Sequence, residues 1–253
     1  MQKEINILDQ FSPISLSEMD RVKLMNRIDT KFAFNKSILD NILDELKSEY
    51  RILEINSVRA SRYESLYFDD SKFSFFQDHH KRKSNRFKVR IRKYIETNLL
   101  FLEIKHKVKG RTEKKRMETP DFNPVFGENQ KLFIDKQLKK ELILNPTMCN
   151  SFERITLVHN VLNERLTIDF NLEFNFNNIN CPFPNLVILE LKQEKINRSS
   201  PFFKLMKTRQ IRPYRLSKYC LGAMELYGET KLKFNRFKKK LLYLKKMNND
   251  SII

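Results

Sequence analysis

Glycine is scarce, with four in 253 residues. Neither a Walker phosphate loop nor a GxGxxG turn can be written with so few, because both need glycine where backbone approaches a phosphate. Cysteine is equally thin. Cys149, Cys181 and Cys220 are far apart and odd in number, which argues against a disulfide framework or a zinc site and for reduced thiols in a cytoplasmic protein. Of the four histidines, His79 and His80 are adjacent, and on a strand they would point to opposite sides, a poor geometry for chelation. Long apolar runs are missing too. Leu99–Leu102 and Leu186–Leu189 are soon broken by charge, far short of the ~20 residues of a membrane span. Met1–Gln10 carries an early acid and no apolar stretch, so a secretory signal is not expected. No serine or cysteine nucleophile stands in a recognisable setting.

Acid is the remaining shortage. Lys and Arg number 49 against 31 Asp and Glu, a formal net charge of +18, so the expected partner is anionic. The chain is otherwise ordinary for a folded protein: it is 40% hydrophobic with 21 phenylalanines, enough for a sizeable core in one large domain or two small ones. The aromatic residues form no regular stacking platform of the kind that holds single-stranded bases.

The position of the basic residues is more informative than their number. Arg86–Tyr94 reads Arg-Phe-Lys-Val-Arg-Ile-Arg-Lys-Tyr. As a strand it puts Arg86, Lys88, Arg90 and Arg92 on one face and Phe87, Val89 and Ile91 on the other. The pattern continues with Glu103, Lys105 and Lys107, then after a short loop at Lys109–Gly110 with Lys114 and Arg116. It recurs in Arg27–Lys31, in Arg165–Phe174 and in Leu186–Glu194, where Glu190, Lys192 and Glu194 alternate with Val187, Leu189 and Leu191. Arg62–Asp69 is a further strand with weaker alternation. Each charged face could be the solvated side of an antiparallel sheet. Taken together they are too uniformly basic for that, because like charges repel without cross-strand partners of opposite sign. The pattern predicts charged faces pointing inward around a closed barrel that holds a polyanion.

Helices are then expected over the apolar outer face. Lys36–Tyr50 has Ile38, Leu39, Ile42, Leu43 and Leu46 at helical spacing. Ser199–Arg209 opens with Ser200-Pro201 as cap and first turn. Ser217–Tyr227 starts at a capping serine, and Glu128–Leu144 reads as a helix too. Lys231–Lys246 carries eight basic residues and no acid. It fits either a C-terminal helix docked by its apolar side or a basic surface for phospholipid or an anionic polymer.

The ordered set of motifs resembles the VTC domain, the catalytic domain of vacuolar transporter chaperone polyphosphate polymerases, within the triphosphate tunnel metalloenzymes. The resemblance rests on Arg27-Ile28-Asp29-Thr30-Lys31-Phe32, Arg62-Tyr63, Tyr67-Phe68-Asp69 and the Arg86–Tyr94 strand. It continues through Phe101-Leu102-Glu103-Ile104-Lys105, Lys114-Lys115-Arg116, Arg165-Leu166-Thr167-Ile168-Asp169, Leu189-Glu190-Leu191-Lys192 and Ser217-Lys218-Tyr219. It implies an α+β fold, an eight-stranded antiparallel barrel with helices packed outside. Residues 1–228 would form one tunnel domain (1–20 an N-terminal extension), and 229–253 a basic helix and tail. By resemblance, Lys31, Arg90, Arg92, Lys105, Lys114, Arg116, Arg154, Arg165, Lys192 and Lys218 are the expected phosphate ligands. Arg90, Arg92 and Lys105 act at the transferring group, and Glu190 holds a divalent metal, Mn or Mg. The related triphosphatases open with Glu-x-Glu-x-Lys, whereas Arg27, Asp29 and Lys31 stand here; losing one acid favours the polymerase branch.

The activity so implied is transfer of the γ-phosphate of ATP to a growing polyphosphate chain, in the cytoplasm. A triphosphate hydrolase on the same fold and a non-enzymatic binder of polyanion or nucleic acid are the alternatives. A duplex is not expected as a partner, since it is far wider than an eight-stranded interior.

Overall fold

The computed structural model describes residues 6–21, 28–108 and 111–249. In chain order its elements are β1 (Pro13–Ile14), α1 (Leu16–Arg21), β2 (Ile28–Asn35), α2 (Leu39–Leu46), β3 (Tyr50–Leu53), β4 (Ala60–Asp69), α3 (Ser74–His80), β5 (Arg86–Tyr94) and β6 (Leu99–Val108). There follow β7 (Arg111–Glu118), α4 (Glu128–Leu138), β8 (Asn145–His159), β9 (Glu164–Phe176), β10 (Ile179–Phe183), β11 (Leu186–Gln193), α5 (Pro201–Thr208), α6 (Lys218–Lys231) and α7 (Asn235–Asn249). Arg27 and the Lys109–Gly110 loop of the sequence reading lie outside the described residues, as does the start of Met1–Gln10.

Eight antiparallel strands run in the order β2-β11-β9-β8-β4-β5-β6-β7. β10 extends from β9, β3 from β8, and β1 pairs with β3 in parallel. The sheet is strongly curled. Glu190 on β11 and Lys105 on β6 are five strands apart along this path, yet each lies in the other's electrostatic field. Its edges, β2 and β7, do not pair with each other among the described residues, so the expected eight-stranded barrel takes the form of a half-barrel.

Period-2 alternation sorts the two faces, interrupted by register shifts at Tyr67/Phe68 between β4 and β8 and at Ser151/Glu153 between β8 and β9. The convex face carries Phe32, Phe34, Val89, Ile91, Leu102, Ile104, Leu157, Ile168 and Leu189, all buried. Leu39, Ile42, Leu43 and Leu46 of α2 and Phe202, Leu205 and Met206 of α5 close over one part of it. Ile134 and Leu138 of α4 join the cluster around β5 and β6. Ser200 caps α5 by accepting from the Phe203 N–H, ahead of Pro201.

Three helices differ from the sequence reading. The expected helix over 128–144 stops at Leu138, where Lys139 turns left-handed (φ 55°) and its N–H closes on Asp135; apolar Leu142–Leu144 had extended the periodicity beyond it. The 36–50 helix opens as a 3₁₀ turn, Lys36–Ile38, and α2 ends at Leu46, leaving Tyr50 to start β3. Ser217 caps α6 as expected, but α6 lies against the concave side at one end of the sheet rather than over the convex face. Its Tyr219 stacks on Tyr67 (5.3 Å), and a Cβ on Gly222 would stand 2.4 Å from Phe174 and 2.8 Å from Met148. Glycine is required there because helix backbone and sheet side chains are already in contact. α7 docks by Leu241 and Leu244, while Asn35 Nδ2 and Asn185 Nδ2 donate to its last carbonyls, at Met247 (2.7 Å) and Asn248 (2.9 Å). No described helix is long and apolar enough to cross a membrane.

Candidate active site

Register places the basic residues of the concave face side by side. Arg90 on β5 stands opposite Glu103 on β6, which stands opposite Arg116 on β7. Lys88, Lys105 and Lys114 form the adjacent row. Across the curl, Lys31, Glu190 and Thr167 form one row of β2, β11 and β9, with Asp29, Lys192 and Arg165 next to it. Arg154 on β8 stands opposite Asp169 on β9, and Lys218 enters from the first turn of α6.

Three carboxylates organise these cations. Glu103, fully buried, accepts from Arg90 Nε (2.9 Å) and Nη2 (2.6 Å) and pairs with Lys114. Asp169 takes the fork of Arg154 (2.5 and 2.8 Å) and the ammonium of Lys218. Glu190 accepts from Lys192 Nζ (2.6 Å), which also donates to Thr167 (2.7 Å), and lies 3.6 Å from Lys31. Burial opposes the charge of all three, but the cations outweigh it. Arg90, Arg92 and Lys114 hold Glu103 well below the usual carboxylate range, Arg154 and Lys218 do so for Asp169, and Lys192, Lys31 and Lys105 for Glu190. The expectation that the like charges on the Arg86–Tyr94 strand lack opposite-sign cross-strand partners is therefore corrected for Arg90, and Arg154 is answered in the same way. Their counter-charges sit directly across the strand, the usual unit of sheet stabilisation.

Arg92 instead stands between Ser65 and Phe101 on the neighbouring strands. Its Nε donates to Ser65 (3.2 Å), and its guanidinium lies 5.5 and 5.6 Å from the Tyr63 and Phe152 ring centres. Burial, with Arg90 beside it, lowers its pKa. Arg154 (5.1 Å from Tyr63) and Lys218 (4.0 Å from Phe152) share these rings, so Tyr63 and Phe152 form an aromatic floor that lets three cations approach one another. Burial likewise pushes the lysine ammoniums down: Lys88 and Lys218 to about 7, Lys114 and Lys192 to about 8, and Lys105 well below the usual range.

Most of the expected ligands thus converge: Lys31, Arg90, Arg92, Lys105, Lys114, Arg154, Lys192 and Lys218, with Glu190. Arg116 is exposed, 4.6 Å over Phe101, and so more peripheral; Arg165, partly buried, sits on β9 opposite Lys192. Sequence reasoning missed Glu103 and Asp169 as organisers and Lys88 as a further buried cation, although the alternation had put all three on the charged face. It also missed Asp69. This carboxylate accepts from the N–H groups of Asp70, Phe75 and Phe76 and from Tyr219 (2.5 Å), and burial raises its pKa to about 6. Tyr219 stacks on Tyr67, whose hydroxyl accepts from Arg90 (2.9 Å). Asp69 therefore fixes α3 and α6 relative to the arginine row.

Among the described residues no three His, Cys, Asp or Glu side chains gather into a metal cage. His79 and His80 lie in α3, not on a strand. Magnesium-type ions are commonly held by one or two carboxylates with phosphate oxygens and water filling the remaining positions. Glu190 suits that shared kind of site, since one oxygen is held by Lys192 and the other has only the longer Lys31 contact.

A curled antiparallel sheet that lines its concave side with arginines and lysines is the architecture of the triphosphate tunnel class of fold. A proposed adenylate cyclase from Bacillus halodurans has it, with 12% identity, a TM-score of 0.53, and 80% of this chain and 97% of that one covered. Lower likenesses link the chain to a proposed adenylate cyclase from Vibrio parahaemolyticus (9% identity, TM-score 0.47, 77% and 97% covered). Another is a proposed adenylyl cyclase from Hippeastrum with a dominant triphosphatase activity (13% identity, TM-score 0.48, 79% and 96% covered). No curated protein sequence matches the chain. The VTC domain matches residues 26–227, and the chain belongs to the VTC domain family.

Proposed function

We propose that this protein is a polyphosphate polymerase. It would transfer the γ-phosphoryl group of ATP to the terminal phosphate of a growing polyphosphate chain lying in the concave basic channel. The observation that carries this reading is the state of the channel carboxylates: Glu103 and Asp169 are each committed to two cations, and Glu190, held on one oxygen by Lys192, is left to the metal. Hydrolysis needs a water oriented and deprotonated, usually by a carboxylate. Transfer between phosphates needs neither, because the attacking terminal oxygen is already ionised.

In the reaction, a terminal oxygen of the chain forms a bond to the γ-phosphorus. The bond from that phosphorus to the β–γ bridging oxygen breaks, and ADP leaves with the electron pair. The protein's part is alignment and charge compensation. Arg90 and Arg92 grip phosphate oxygens in bidentate fashion; Lys31, Lys105, Lys114, Lys192 and Lys218 act as point charges, and Arg154, Arg116 and Arg165 continue the cationic lining. Because Glu103 and Asp169 hold Arg90 and Arg154 in place, the donors are oriented before substrate arrives. Glu190 would hold a divalent metal, whose chemistry there is Lewis-acid neutralisation of charge on the transferring group.

The test is incubation with ATP and Mg²⁺ or Mn²⁺, following polymer, ADP and orthophosphate together. Polymer and ADP in step, with little early orthophosphate, is the expected result. Stoichiometric orthophosphate without polymer assigns the site to hydrolysis instead. Glu190→Gln should nearly abolish turnover with an unchanged melting curve, since an amide is a poor ligand for a hard cation; normal turnover at saturating metal removes Glu190 from the site.

A further inference from the structure

A second set of cations leads away from the channel, over the segment between α5 and α6. This segment is tied at both ends. On the channel side, the Tyr214 N–H donates to the Lys31 carbonyl (2.6 Å) and Lys31 Nζ donates to the Leu216 carbonyl (3.3 Å). On the surface side, Lys240 of α7 donates to the Arg215 carbonyl (2.8 Å) and lies 5.5 Å from the Tyr214 ring centre. Between these ties, like charges succeed one another. Lys107 lies in the fields of Arg86, Arg215 and Lys31, and Lys240 in those of Arg82 and Arg215. Arg86 and Lys107 are cross-strand neighbours on β5 and β6.

Such an array repels itself. Arg82, Arg86, Lys107, Arg215 and Lys240 make no ion pair with a carboxylate among the described residues. The acids whose fields reach them are Asp78, which is paired with Lys83 at 2.7 Å, and Asp29 at the edge of the sheet. The Arg86 Nε is buried without a hydrogen-bond acceptor, a cost that folded proteins ordinarily avoid. His79, half-buried in α3, is faced by Lys88, Arg86, Lys31 and Lys107, which join burial in opposing its protonation. One end of the array therefore opens into the channel through Lys31 and Lys88, and the other reaches exposed Arg82 and Arg215.

We propose that this array is an external track for a linear polyphosphate chain longer than the channel, which it would hold as the chain emerges. The proposal rests on the polyphosphate reading above. A chain with a negative charge on every unit suits a row of cations with few interspersed acids. A nucleotide or triphosphate is consumed within the channel and would not reach Arg215 or Lys240. The rings beside the row, Tyr214, Tyr243 and Phe237, gather at its Lys240 end rather than recurring along it, whereas single-stranded nucleic acid is held by bases stacked in series.

The test compares the parent with the double variant Arg82→Gln/Arg215→Gln, both at exposed sites outside the channel. Affinities are measured calorimetrically for tripolyphosphate, for polyphosphate of about 100 units, and for a single-stranded RNA of matched charge. The parent should bind the long chain at least tenfold tighter than tripolyphosphate. The variant should lose most of that advantage, with a shallower salt dependence, while binding tripolyphosphate as the parent does. Equal long-chain affinity in parent and variant, or no length advantage in the parent, overturns the track. RNA binding as tight as the long polymer, with the same loss in the variant, reassigns the array to nucleic acid. Failure of the parent to bind tripolyphosphate at all overturns the channel reading itself.

Discussion

Arg90 and Arg92 are two positions apart on one face of β5, yet their surroundings differ. Arg90 shares the fully buried Glu103 with Lys114 and reaches Tyr67, whereas Arg92 has Ser65 and two ring faces. Removing Arg90 strips a partner from a buried carboxylate. Arg90→Ala should therefore lower stability by about 3 kcal/mol, the low end for such a loss because Lys114 stays on Glu103. Activity should fall on the order of 10²-fold, as when one preorganised donor is removed. Arg92→Ala should cost comparable activity but much less stability, since it relieves repulsion from Arg90. Chemical denaturation of the two variants beside the parent decides this; equal losses of stability would mean that Glu103 does not distinguish the arginines. The sequence placed both residues on the charged face and made them look alike. Only the cross-strand register, Arg90 opposite Glu103 and Arg92 opposite Phe101, separates them.

Among the elements, α6 ties three parts of the channel wall together. Its first residue, Lys218, pairs with Asp169, its second, Tyr219, hydrogen-bonds Asp69, and one turn later Gly222 rests on Phe174 and Met148. A methyl group at 222 would have to displace Phe174, a fully buried ring. Gly222→Ala should cost about 1–3 kcal/mol through overpacking. The shift it forces should carry Lys218 away from Asp169, so tripolyphosphate should raise the melting temperature less than in the parent. A variant with the parent's stability and ligand response would show that the helix has room to spare. The capping Ser217 and the start of this helix were legible in the sequence, because a cap is a local signal. Its location on the concave side was not, since Leu221 and Met224 are as apolar as residues packed over a convex face.

For the whole molecule, the lysines sunk in the concave face couple charge to stability. Lys88, Lys218 and Lys192 have pKa values pushed down to about 7–8, against an unfolded value of ~10.4. Between these limits the unfolded chain binds more protons than the folded one, so stability rises with pH. The ligand-free protein should therefore melt at a higher temperature at pH 9 than at pH 7. Asp69 acts oppositely in a lower window: with its pKa raised to about 6, its contribution to stability falls as pH rises from about 4 to 6. A bound polyanion restores the lysine charges, so at pH 8 binding of tripolyphosphate should take up protons and its affinity should fall as pH rises further. Calorimetry in buffers of different ionisation enthalpy measures the uptake directly. No uptake, together with a melting temperature flat between pH 7 and 9, would place the lysines in contact with water.

The sequence alone determined which residues share a face. Strand alternation is a property of neighbouring residues, so Lys31, Arg90, Lys105, Glu190 and Lys192 could be assigned to one side of a curled sheet without knowing its path. The eight-stranded architecture came through resemblance rather than periodicity, the order of its strands from neither, and the 128–144 helix was overextended because apolar spacing continued past the left-handed turn at Lys139. Tertiary structure decided which acid answers which cation. Lys218 and Asp169 are separated by 49 positions, and Tyr219 and Asp69 by 150. Such pairings depend on where the sheet curls and where α6 crosses it, and neither is encoded in the spacing of adjacent residues. Charge composition fixed the sign of the ligand; the distribution of a few buried carboxylates among many cations fixed which of those cations remain available to hold it.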